Sequence, residues 1–156
     1  MSTRCAIIMK DGDGYRGIYS HWDGYIEEPG AGSILHEHYR DEAKVKALID
    51  LGDISQLGAE VVPTGPHSYE SPQEGVTVAY GRDGGETDVD PTTGKTVQEV
   101  EDRIGHNGYV YVWEDGTWHV NGDLLSEALG EQEPSQDPVD TMIEAMLPGD
   151  GTENTP

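Results

Sequence analysis

The chain has 156 residues, and its 31 Asp and Glu against 9 Lys and Arg give a formal charge of −22. That surplus repels nucleic-acid phosphates and anionic lipid, so direct binding to either is disfavoured. With 34% hydrophobic residues and no Phe, the length predicts one domain with a modest core of Ile, Leu, Val, Tyr and Trp. A lone cysteine, Cys5, excludes an internal disulfide and a cysteine-rich zinc site. No apolar run reaches the ~18 residues of a membrane span. The opening MSTRCAIIMKDG is too soon interrupted for a signal peptide, and the whole pattern predicts a reducing cytoplasm.

In chain order, CAIIMK at 5–10 reads as a strand, where Cys5 is a buried inert thiol. DGDG at 11–14 turns the chain into a return strand at 15–21. A calcium loop beginning at Asp11 fails, because its glycine position holds Arg16 and its final carboxylate position holds Trp22. Residues 22–33 form a Gly- and Pro-punctuated loop. Ser33 is placed to cap a short helix ending near Tyr39, and Asp41 to cap a second with Val45, Leu48 and Ile49 inward. Asp53 then starts a helical turn over ISQLG.

Residues 61–75 carry three Pro and two Gly and predict a long loop, followed by a strand at 76–82. The polar run 83–95 holds GKT at 94–96. It is no phosphate-binding loop, since the required upstream glycine is Val89 and Asp88 and Asp90 would repel phosphate. A helix follows at 96–104, then an HNG turn at 106–108. YVYVWEDGTWHV at 109–120 is the clearest hairpin, with Tyr109, Tyr111 and Trp113 on one face and Val110 and Val112 on the other. Beyond Arg103 there is no Lys or Arg but 11 acidic residues. A short helix at 123–129 and a linker at 130–138 lead to VDTMIEAML at 139–147. There Met142, Ile143, Met146 and Leu147 recur at helical spacing, as in a docking helix, though a floppy acidic tail fits equally.

Residues 17–39 concentrate three of the six His, one of the three Trp and three of the eight Tyr. His21 and Asp23 are the candidate catalytic groups, and Trp22, Tyr25, His36, His38 and Tyr39 the candidate binding groups. His21, Asp23, His36 and His38 could hold a metal, the basis of a small metal-dependent hydrolase. His36 and His38 diverge on a helix, however, and no His-Glu-x-x-His spacing is present. The competing reading makes this stretch a structural clasp, with Trp22 and Tyr25 pinning a tight turn and Gly24 supplying backbone freedom. No cofactor motif is found.

The pattern MSTR-x-x-I, GIY-x-HWDGY, L-x-EHY and LGD-x-S-x-LG over residues 1–58 resembles a family of small bacteriophage and plasmid proteins without an established activity. YGRD at 80–83 and the 109–120 hairpin extend it weakly. The resemblance implies an accessory gene of a mobile element acting in the bacterial cytoplasm. With the charge, it predicts a non-enzymatic protein that binds a basic host or phage protein through acidic surface, as an anti-defence factor or nucleic-acid mimic. A minor virion component and plain solubility are the other readings. The expected fold is α+β over residues 1–129. It has one antiparallel sheet of four or five strands, the helices at 33–51 on one face, and an acidic extension over 130–156.

Overall fold

Burial along the first strand does not alternate. Cys5, Ala6, Ile7, Ile8 and Met9 are all buried, a pattern that a strand shows where both its faces are covered. The computed structural model describes residues 3–105 and 108–130, and it places this strand, β1 (Cys5–Asp11), inside one open sheet of eight strands. Two units are distinguished, Met1–Leu125 and Ser126–Pro156. The fold belongs to the first, and of the second residues 126–130 are described. The docking segment with Met142, Ile143, Met146 and Leu147 therefore lies outside the described residues, as does most of the HNG turn.

The elements after β1 are β2 (Gly14–Trp22), α1 (Ala31–His38), α2 (Glu42–Ile49), β3 (Ile54–Gln56), β4 (Val78–Ala79) and α3 (Tyr80–Gly84). They continue with β5 (Thr92–Gly94), α4 (Val97–Ile104), β6 (Tyr109–Glu114), β7 (Thr117–Val120), β8 (Asp123–Leu124) and α5 (Leu125–Ala128). The sheet runs β4-β3-β2-β1-β6-β7-β8, with β5 paired onto β2. The two predicted hairpins are its frame: Ile7 faces Ile18 in the first, and Trp113 faces Trp118 in the second.

The fold is α+β with a single sheet, but three expectations are corrected. The sheet has eight strands, not four or five, because β3, β5 and β8 have only two or three residues each and lack any alternation to read. It is mixed, not antiparallel: β1 runs parallel to β6 and β2 parallel to β3, since helices lie between the members of each pair. Helices also cover both faces. Ala6, Ile8 and Val110 pack against Val100 of α4, while Ile7, Ile18, Tyr111 and Trp113 face the side where α1 and α2 supply Leu35, Val45, Leu48 and Ile49.

Local deviations have local causes. Residues 54–56 form a strand because Asp53 does not cap a helix; its Oδ1 accepts the Tyr19 N–H at 2.9 Å, fastening the segment to β2. The strand predicted at 76–82 stops at Ala79, whose N–H donates to Asp83 Oδ2 at 2.8 Å and opens the short α3. Neither Gly30 nor Asp41 caps its helix through a side chain; Ser33 Oγ donates to the Gly30 carbonyl from inside the first turn of α1. The helix predicted from residue 96 begins at Val97, because Thr96 caps it: Thr96 Oγ1 accepts from the Glu99 amide at 3.0 Å, and left-handed Gly105 ends the helix. No helix among the described residues is long and apolar enough to cross a membrane.

Candidate functional site

The aromatic and histidine-rich stretch folds as a clasp. His21, on β2, contacts the Tyr19 hydroxyl through Nδ1 at 2.7 Å and stands edge-on to Trp22, whose ring is 43% exposed. Asp23 adopts left-handed backbone (φ +56°), accepts Gln56 Nε2 at 2.8 Å, and its carbonyl receives the Ala31 N–H. Gly24 donates its N–H to the Thr3 carbonyl and accepts the Tyr111 hydroxyl at 2.7 Å. A Cβ there would lie 2.8 Å from the Thr3 oxygen and 2.9 Å from the Cys5 Cβ, so only glycine fits.

The predicted site residues do not converge. Tyr25 is half-buried; His36 and the more exposed His38 sit on α1, where His38 Nε2 is 3.6 Å from Glu37. Tyr39 is fully buried and donates its hydroxyl to the Gly58 carbonyl at 2.7 Å, so it is a core residue and not a binding one. Burial raises its phenol to about 12. Among the described residues, no three His, Cys, Asp or Glu side chains are grouped to hold a metal ion. Burial also drives the Cys5 thiol up to about 12, against a lowering contact from Ser20, so it is no nucleophile near neutral pH.

A polar hub anchors the long loop 61–75, and no motif in the sequence pointed to it. Arg82 holds Asp83 through Nε at 2.9 Å, and its other nitrogens donate to the Val61 and Thr77 carbonyls. Burial alone would raise the Asp83 carboxyl, but Arg82, the Ala79 amide and His67 outweigh it and hold it at about 2. His67 Nδ1 accepts the Gln73 N–H at 2.9 Å, which puts the ring proton on Nε2. That nitrogen lies 3.0 Å from Asp83 Oδ2, off the N–H axis, so the contact is electrostatic and not an aligned hydrogen bond. With one nitrogen on backbone and the other facing Asp83, and 2% of its side chain exposed, this histidine anchors the loop and is not a catalytic base.

Two clefts remain. The polar one, about 430 Å³, lies among Arg4, Tyr19, Asp53, Asp88, Asp90 and Arg103. Both charge signs meet in it, and Arg103 is already engaged by Glu99 and the Thr93 carbonyl. Burial raises the Asp53 carboxyl, only partly offset by the Tyr19 amide.

The other cleft, about 550 Å³, is a groove where α4 leaves the sheet uncovered. Its floor is Val97, Val110 and Val112, and its rim carries Glu101, Glu114 and His119. The position arises from the hairpin's alternation, which puts residues 110, 112 and 114 on one face. Val112 is registered with His119, and His119 with Leu124, which is 37% exposed. Glu114 accepts the Tyr15 hydroxyl at 3.0 Å but pairs with no Lys or Arg among the described residues. The side chains of Glu101 and His119 have no hydrogen-bond or ion-pair partner among the described residues. The alternation at 109–114 predicts the valine face, but how far α4 covers it has no local signal in the sequence. No family model, curated protein or solved structure matches the chain.

Proposed function

We propose that this chain is a non-enzymatic accessory protein of a mobile genetic element, acting in the bacterial cytoplasm by binding a basic host or phage protein. The supporting observation is unneutralised negative surface. Asp11, Asp50, Glu60, Asp83 and Glu99 meet a Lys or Arg, whereas exposed Glu42, Glu86, Asp88, Asp102 and Asp115 have no such partner among the described residues. Carboxylates left without counter-charge raise the compact state's self-repulsion. They become an asset when a cationic surface arrives, because they speed encounter and reject acidic competitors. Imitation of a phosphate array is the finer form of the same reading, in which the partner is a nucleic-acid-binding protein and the ligand it loses is DNA or RNA.

The test is capture from bacterial lysate on the immobilised full chain, followed by affinity measured across ionic strength. The expected result is a partner whose association constant falls steeply between about 50 and 300 mM salt, where the screening length shortens through roughly 10 Å. A protein that retains nothing at low salt, or whose partner is held equally at both ends, contradicts the proposal. Displacement of the partner by duplex DNA or RNA marks the mimicry form.

A further inference from the structure

We infer that the valine-floored cleft between α4 and the β6–β7 hairpin is the docking site for a basic amphipathic helix of the partner. This rests on the binding reading above and gives it a place. Val97 at the start of α4 and Val112 on β6 are half-buried, and with the buried Val110 they form an apolar floor that accepts an apolar side chain. Glu101 on one wall and Glu114 on the other stand beside that floor without a cation, so they select Lys or Arg next to the apolar anchor. The Lys10 ammonium sits over the Tyr15 ring, 4.9 Å from its centroid, and makes no ion pair with Glu114.

Recognition as an added strand is disfavoured, because the sheet ends here in the two-residue β8, which offers too little backbone to pair. A helix laid in the groove uses side chains alone, which is what the cleft provides. The chain's own 139–147 sequence has apolar residues at the right spacing, but it carries Asp140 and Glu144 and no cation, the wrong sign for this rim.

The probe is a synthetic amphipathic helix of Leu and Lys, titrated into the full-length protein at low salt and followed by amide NMR. Shifts are expected at Val97, Val110, Val112 and His119. Glu101→Lys is expected to weaken binding about tenfold, and Glu42→Lys, the same charge change on α2, less than about twofold. Val112→Thr, which keeps the size of the floor but makes it polar, is expected to weaken binding with the fold retained. Equal weakening by Glu101→Lys and Glu42→Lys overturns the cleft and leaves the acidic-surface function standing. No binding of the probe at low salt also overturns the cleft, while lysate capture independently decides the function. Tighter binding by a peptide of residues 139–147, or concentration-dependent shifts at the same amides in the free protein, assigns the groove to another occupant and overturns the proposal.

Discussion

The two faces of the central strands are built from the same hairpin but finished differently. On the side of Ile7 and Tyr111, aromatic side chains fill the space and three of them tie their polar ends to backbone, while Trp113 Nε1 is buried with no hydrogen-bond partner among the described residues. Tyr111 donates to the Gly24 carbonyl, Tyr39 to the Gly58 carbonyl, and Trp118 Nε1 to the Tyr39 carbonyl, each at 2.7 Å. On the side of Ala6 and Ile8, the core is aliphatic, closed by Val100 near β1 and left open past Val110. A buried phenol or indole fixes geometry because its polar atom must find a partner. Valines impose no such demand, so the second face can keep an uncovered groove at little cost. Stability is concentrated on the first face and availability for contact on the second.

The largest effect that would test this contrast is Tyr111→Ala against Val112→Ala, neighbours pointing to opposite faces. Truncating the buried tyrosine is expected to cost about 3–5 kcal/mol, and truncating the half-exposed valine less than about 1.5 kcal/mol. Chemical denaturation reads both, and equal losses would break the comparison. Next comes Tyr39→Phe, which leaves the Gly58 carbonyl short of one donor and is expected to cost about 1–2 kcal/mol. Thr77 Oγ1, 3.2 Å from the same oxygen, tempers that loss.

A pH series sharpens the picture at the loop anchor. Asp83 is held at about 2, below its ordinary 3.8, so its contribution is complete above the ordinary value and lost as pH falls through about 2. The wild type is therefore expected to lose about 2 kcal/mol more than Asp83→Asn between pH 5 and pH 2. Asp53 has the opposite sign. Its raised carboxyl opposes folding at neutral pH, so Asp53→Asn, which keeps an acceptor for the Tyr19 amide, is expected to leave stability at pH 7 unchanged or slightly higher. The smallest expected effect is that of Glu101→Lys on stability, within about 0.5 kcal/mol, since its carboxylate supports no contact within the fold.

What the sequence disclosed follows from how locally each feature is specified. The strands at 5–10, 15–21 and 109–120 and the helix at 96–104 announce themselves through β-branched runs, Asp-Gly turns and apolar residues at helical spacing, all confined to a few neighbouring residues. The strand at Ile54–Gln56 was hidden because its state is decided by Tyr19, 34 positions away, taking up the carboxylate that would have capped a helix. The parallel pairings were hidden for the same reason, being fixed by packing across crossovers. In the histidine-rich stretch, the left-handed residue is Asp23, and Gly24 is held by close packing on Thr3 and Cys5 instead of by the backbone freedom expected of it; neither this packing nor the depth of Tyr39 could be read from spacing. The groove depends on how far α4 reaches along β6, a tertiary quantity with no local signature.

The most direct measurement is carboxylate footprinting of the full-length chain with and without its captured partner. Protection of Glu101 and Glu114, with Glu42 on α2 equally labelled in both states, is the predicted result. Protection confined to α1 and α2, or no change at Glu101 in a complex that persists at high salt, would contradict it.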